Sequence, residues 1–269
     1  MNVIVRPCVA IDFHKSVTRE NTEEISTESK PKKEQVMKTG NPYNICTWDE
    51  QSDCANCSVQ GKLHCKWDRR ILYGFYAASF PPLIIAILGM VIVGVLTGVW
   101  WMLIAYIVYV PVMLGILETR FLCSHCPYYA EDSTMLHCLA NHGDPKLWRY
   151  RPGPMSGLEK FMMLFLVITV IFFLAPLAVE GYGIYFIIAK YMEYGLISLL
   201  GLAGITLASL LTGISFILVL RTFFCSTCVN FSCPVNTVPK TVIDEYLKKN
   251  GVMRKAWEES GWRIGEITY

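Results

Sequence analysis

Two apolar blocks, residues 71–117 and 161–220, commit most of this chain to a membrane. A helix needs about 20 apolar residues to cross the hydrocarbon layer. Each block is long enough for two crossings, so the pattern predicts four helices at roughly 71–93, 100–118, 160–180 and 195–220. The expected fold is an all-α integral membrane protein, built as two hairpins over 70–118 and 160–220. Gly94 and Gly98 mark the first turn, with Trp100 and Trp101 at interface depth. Glu180-Gly-Tyr-Gly183 and Lys190-Tyr-Met-Glu193 mark the second, and their aromatic rings suit an interfacial belt. Charged residues make up 17% of the chain, where a soluble domain is nearer a quarter.

Cationic residues set the expected orientation. Of the 24 Lys and Arg residues, all but Lys190 lie in the segment 1–70, the loop 119–160 and the tail 221–269. Lys and Arg accumulate on the cytoplasmic side. The expected location is therefore the cytoplasmic (inner) membrane, multi-pass, with both termini cytoplasmic. No apolar run precedes residue 70, so no secretory signal is expected. Membrane lipid is the first partner implied, and no nucleic-acid partner is expected.

All 11 cysteines fall on that same side or at its border. Cytosolic thiols are kept reduced, so their density points to metal binding or redox catalysis rather than structural disulfides. The segment 1–42 reads as a disordered tether, rich in Glu, Lys, Ser and Thr over 15–38, with an isolated Cys8 ahead of it. Residues 43–69 form a cysteine knuckle in which Cys46, Cys54, Cys57 and Cys65 are spaced symmetrically about a central Cys-x-x-Cys. So short a segment needs something in place of a core, and a bound metal is the usual substitute.

The loop 119–159 carries Cys123, Cys126 and Cys138, with His125, His137 and His142. Residues 131–141 read as a short helix stopped by Gly143. His137 and Cys138 are adjacent on it and diverge, so at most one would serve a given ion. Trp148, Arg149, Tyr150 and Arg151 suit lipid headgroups, or an acidic partner. The tail 221–269 carries Cys225, Cys228 and Cys233, then two short helices, which Tyr246, Trp257 and Trp262 are expected to pack onto the knuckles.

Both hairpins end in an Arg followed by Phe and a Cys-Ser-x-Cys, as if one unit were repeated. That would set two knuckles at equivalent heights on helices 2 and 4. Cys123, Cys126, Cys225 and Cys228 are the favoured tetrad, enough thiolate for one zinc or one four-iron cluster. Cys138 and Cys233 could instead complete separate sites with a histidine. No histidine lies within a predicted span, which disfavours a haem between helices. Glu118, Glu180 and Lys190 sit at predicted helix ends, and the spans otherwise hold few ionisable groups of the kind proton and ion pathways use. Thr169, Thr206, Ser209, Thr212 and Ser215 fit helix–helix contacts. Pro81, Pro82, Pro111 and Pro176 leave a transporter as one alternative. There is no P-loop and no His-Glu-x-x-His helix.

Cys123-Ser-His-Cys126-Pro127 and Cys228-x4-Cys233-Pro234 resemble the Cys-Pro-terminated motifs of polyferredoxin-like four-helix membrane subunits of anaerobic respiration. The family's motif has three residues between its cysteines, where this chain has two or four. The resemblance implies an iron–sulfur electron-transfer or accessory subunit with protein partners in a membrane redox complex. The competing reading is zinc clamping short loops into a scaffold. A redox dithiol ranks third: two of the pairs follow helix C-termini, where the dipole disfavours a thiolate. No catalytic motif is present.

Overall fold

The computed structural model describes residues 40–266, so Cys8 and nearly all of the expected N-terminal tether lie outside the described residues. The described chain is all-helical, with one isolated antiparallel bridge between Met135 and Pro145. Four helices are long and apolar enough to cross a membrane: α1 (Arg69–Thr97), α2 (Trp101–His125), α3 (Gly157–Ala189) and α4 (Tyr191–Phe224). Asp68 caps α1 by accepting from the Arg70 N–H, and left-handed Gly98 ends it. Ser156 and Glu159 form a capping box at the start of α3. The apolar residues left on the outside, among them Leu88, Ile104, Val108, Ile188, Leu211 and Leu218, form the face that meets lipid.

The bundle packs through small residues. A Cβ on Gly183 would lie 2.5 Å from Val93 Cγ2 and 2.8 Å from Leu202 Cδ2, so α1, α3 and α4 meet only because that Cβ is missing. Three spans contain wide π-helical stretches, at Met113–Glu118, Met163–Leu174 and Leu220–Phe224. Such turns loosen the carbonyl ladder. In α3 two of those carbonyls are taken by α2: Tyr106 donates to Ile171 O at 2.9 Å and Tyr109 to Leu166 O at 3.0 Å.

Two expectations about the spans are corrected. Of the two segments expected to mark the second turn, only Lys190–Glu193 does: the turn falls at Lys190, between α3 and α4, and residues 180–183 are helical. Glu180 is therefore not at a helix end. It lies well inside α3, and no part of it is exposed.

The segments before α1, between α2 and α3, and after α4 gather around one core. Ile45, Val59, Leu63, Tyr128, Leu136, Tyr150, Val229, Tyr246, Leu247 and Trp257 belong to it, drawn from all three extramembrane segments. Helices α5 (Lys240–Lys249) and α6 (Gly251–Glu259) supply one wall. Tyr246 is fully buried with its hydroxyl 2.8 Å from Thr47, and the Trp257 indole donates to Pro152 O, so these rings pack as expected.

Residues 131–141 are not a helix. The Ser133 hydroxyl donates to Glu131 Oε2 and to Met135 O, while Leu136 N–H donates to Asp144 O and Lys146 N–H to Thr134 O. Short polar side chains that bond nearby backbone compete with a helix, and here they win. The 148–151 stretch also departs from expectation. Tyr150 is buried in the core and Arg151 pairs with Glu159 and His125, so neither faces headgroups. Trp148 and Arg149 stay exposed.

Candidate functional site

The cysteine side chains stand in two groups around the extramembrane core. The ten described thiols are all unpaired by disulfides. The first group is Cys46, Cys54, Cys57 and Cys65. Burial pushes the Cys65 thiol up to about 12, and the neighbouring Cys46, Cys57 and Cys54 oppose its ionisation further. Cys46 is raised by burial as well, against the pull of Asn250, and Cys57 and Cys54 again add to the rise. The central pair closes a tight turn, with Cys57 N–H donating to Cys54 O at 3.4 Å.

The second group collects Cys123, Cys126, Cys138, Cys225, Cys228 and Cys233. Cys126 N–H donates to Cys123 O at 2.9 Å, which repeats the turn of the first group. α4 reaches its knuckle through a π turn, with Cys225 N–H bonded to Leu220 O at 2.8 Å. Asn230 Nδ2 donates to Leu122 O, and His64 N–H donates to Thr227 O, so the three cysteine segments are tied to each other. The two knuckles thus stand beside each other, as the repeated hairpin ends imply. The members of the favoured tetrad are neighbours in part, and two further thiols join them: Cys138, Cys228 and Cys123 raise Cys126, and Cys233 raises Cys225. Cys228 sits between the two sets, raised by burial and then by Cys225, Cys233 and Cys138. His137 faces elsewhere: its Nδ1 meets Glu131 Oε2 at 2.7 Å.

Burial dominates these thiols, and it favours the neutral form. Burial takes Cys225 to about 12 and Cys233 to about 11. A second feature pulls the other way. At Cys228 the backbone N–H of Asn230, two residues downstream, favours the anion. The Asn230 N–H lies 3.4 Å from Cys228 Sγ.

Two asparagines, half-buried Asn141 and buried Asn250, add side-chain donors. Asn141 Nδ2 reaches Cys123 Sγ at 3.3 Å and Glu118 Oε1 at 3.1 Å. Asn250 Nδ2 reaches Cys46 Sγ at 3.3 Å, while its Oδ1 accepts from Cys46 N–H at 2.7 Å. Sequence reading passed over both. A polar residue wholly buried at the joint of α5 and α6 carries no spacing signature, because the thiol it serves is 204 residues away.

Beneath the Cys123–Cys126 turn, Arg120, His125, Arg151 and Glu159 form an ion cluster. His125 Nδ1 lies 2.6 Å from Gly153 O, and Arg120 reaches Glu159 at 4.0 Å. This cluster anchors α3 to the end of α2.

Among the described residues, no three Cys, His, Asp or Glu side chains converge closely enough to hold a metal ion. The thiols are neighbours in charge and share one core, but their sulfurs are not drawn to a common centre. Set against models of known families, curated proteins and solved structures, the chain finds no match.

Proposed function

We propose that this membrane-spanning helical protein carries a two-site metal–thiolate module at the cytoplasmic face of the inner membrane. Cys46, Cys54, Cys57 and Cys65 serve one site. The second draws its ligands from Cys123, Cys126, Cys138, Cys225, Cys228 and Cys233. The observation that carries the reading is the set of N–H groups aimed at sulfur. The Asn230 N–H lies 3.4 Å from Cys228 Sγ, and the side-chain amides of Asn141 and Asn250 reach Cys123 Sγ and Cys46 Sγ, each at 3.3 Å. A neutral thiol has little use for these donors. A thiolate has, and hydrogen bonds to ligand sulfur are what tune a metal site.

Burial favours the neutral form at Cys46 and Cys65 of the first group and at all six thiols of the second. Gathering several thiolates in one core is affordable only beside a cation, which offsets both their desolvation and their mutual repulsion. That argues against a bare redox dithiol, whose attacking thiol needs a depressed pKa. Soft thiolate donors suit zinc or an iron–sulfur cluster. Both demand that the sulfurs turn inward from where they stand, within the short loops that carry them.

Electron transfer to a partner in a membrane complex is the function put forward, because ten thiols in two groups exceed the needs of one structural ion. The second reading is a zinc-clamped scaffold, favoured by the knuckle 43–69, whose only helical piece is the single turn Cys46–Trp48. Metal analysis and visible spectroscopy on anaerobically purified protein separate them. Broad visible absorbance that dithionite bleaches supports electron transfer. A colourless protein with stoichiometric zinc supports the clamp and ends the electron-transfer reading. Protein that retains neither iron nor zinc ends both.

A further inference from the structure

The membrane bundle holds a carboxyl group of its own, and it is independent of the cysteines. Glu180 is completely buried in α3. Three elements close around it. From α1, Gly89 gives it room: a Cβ at that position would collide with the Glu180 carboxyl. From α4, Ser209, itself buried in the middle of the helix, donates to Glu180 Oε1 at 2.8 Å, with Thr206 one turn away. From α2, the buried Tyr106 is the one titratable side chain that faces it, and its hydroxyl is already committed to Ile171 O. No Lys, Arg or His of the bundle stands against the carboxyl among the described contacts. The other oxygen, Oε2, is buried with no hydrogen-bond partner.

A carboxylate in that setting would be a negative charge in hydrocarbon with only the Ser209 and Thr206 hydroxyls for solvation. Ionisable groups at membrane depth are costly, and those that persist pair with a countercharge or mark a pathway for protons or ions. No countercharge is present. A hard metal cation would need about six or more oxygen ligands, and this site offers the carboxyl and two hydroxyls. A proton needs only one oxygen. A shallow, largely open groove of about 400 Å³ on the outside of the bundle is lined by Met90, Tyr106 and Val179, and Met90 and Val179 are chain neighbours of Gly89 and Glu180.

We propose that Glu180 is a proton-binding site in the interior of the bundle: it holds a proton at neutral pH and exchanges it with water. Ser209 orients the carboxyl through Oε1, which leaves Oε2 to carry the proton. The binding step is protonation of a carboxylate oxygen by hydronium, with water released and no electron transferred.

Infrared spectroscopy of the full-length chain in lipid vesicles at pH 7 tests this. The expected result is a carbonyl band of a protonated carboxylic acid that shifts in D₂O and is missing from Glu180→Gln. Because glutamine mimics the neutral acid in shape, that variant is expected to unfold at the wild-type temperature. Identical acid-carbonyl spectra for wild type and Glu180→Gln would overturn the proposal, and so would a band that fails to shift in D₂O. Should Glu180→Gln not fold, Ser209→Ala takes its place. Removing the one hydrogen bond to Oε1 is expected to move the band while leaving it present, and an unmoved band overturns the assignment.

Discussion

Asn250 is wholly buried at the joint between α5 and α6, and every polar atom of its side chain is used. It bonds Cys46 through both its N–H and its Sγ, and donates to Tyr246 O at 2.8 Å. Replacing it with alanine strands a backbone donor and a carbonyl in the core. An unsatisfied buried group costs about 1–3 kcal/mol, so Asn250→Ala should lower the stability of the extramembrane body by about 2–3 kcal/mol in denaturant unfolding. Asp244 makes the matching case for a charge. Burial pushes its carboxyl up, but bonds from Gly265 N–H, Lys240 and Trp262 outweigh burial and leave it below its ordinary value. A carboxyl depressed by folding stabilises above its unfolded pKa and loses that contribution as pH falls through the folded value. Stability should therefore decline below about pH 4, and Asp244→Asn should flatten that decline while costing about 1–2 kcal/mol at pH 7. Chemical unfolding followed at a series of pH values reads both.

At the scale of elements, the bundle depends on close approach. Gly183 lets α3 touch Val93 of α1 and Leu202 of α4. Overfilling a packed core costs about 1–3 kcal/mol, and Gly183→Ala should show a loss of that size in the thermal unfolding of detergent-solubilised protein. The π-helical stretch of α3 is held by a different means. Its loosened carbonyls are claimed by Tyr106 and Tyr109 of α2, which makes those hydroxyls part of the helix–helix joint. Tyr109→Phe should cost about 1 kcal/mol in the same measurement, with the ring packing unchanged. Gly195 serves the turn into α4. Its φ of 70° is a left-handed conformation that glycine adopts freely, and it lets the chain reverse between Lys190 and the straight part of the helix.

At the scale of the whole molecule, two bodies have different sources of order. The bundle is stabilised by helices that satisfy their own backbone in lipid. The extramembrane body is a set of loops and two short helices around a shared core, and the proposed metals would hold its loops. Chelation should then erase the near-ultraviolet signal of the buried tyrosines and tryptophans while leaving the far-ultraviolet helix signal of the four spans almost intact. Orientation is testable on the same preparation. The Lys255 side chain is 80% exposed, and trypsin should cut there in vesicles whose cytoplasmic face points outward and spare it in the opposite orientation.

The four spans and the siting of all described cysteines at one end could be read from residues alone, because hydropathy and Lys/Arg bias are sums over neighbours in the chain. The existence of α5 and α6 and the inward packing of Trp257 followed from similarly local patterns. That Cys138 and Cys233 join the thiols of the two knuckles did not follow, since Cys138 comes near Cys126 and Cys228 only after loops from both hairpins share one core. The same holds for Tyr150, whose flanking charges suggested a surface, and for Glu180, whose neighbouring glycines suggested a turn. A side chain's depth is decided by what other segments bring against it, and those segments lie tens to hundreds of residues away. Tertiary packing therefore turned a residue expected at the rim into a carboxyl group enclosed by α1, α2 and α4.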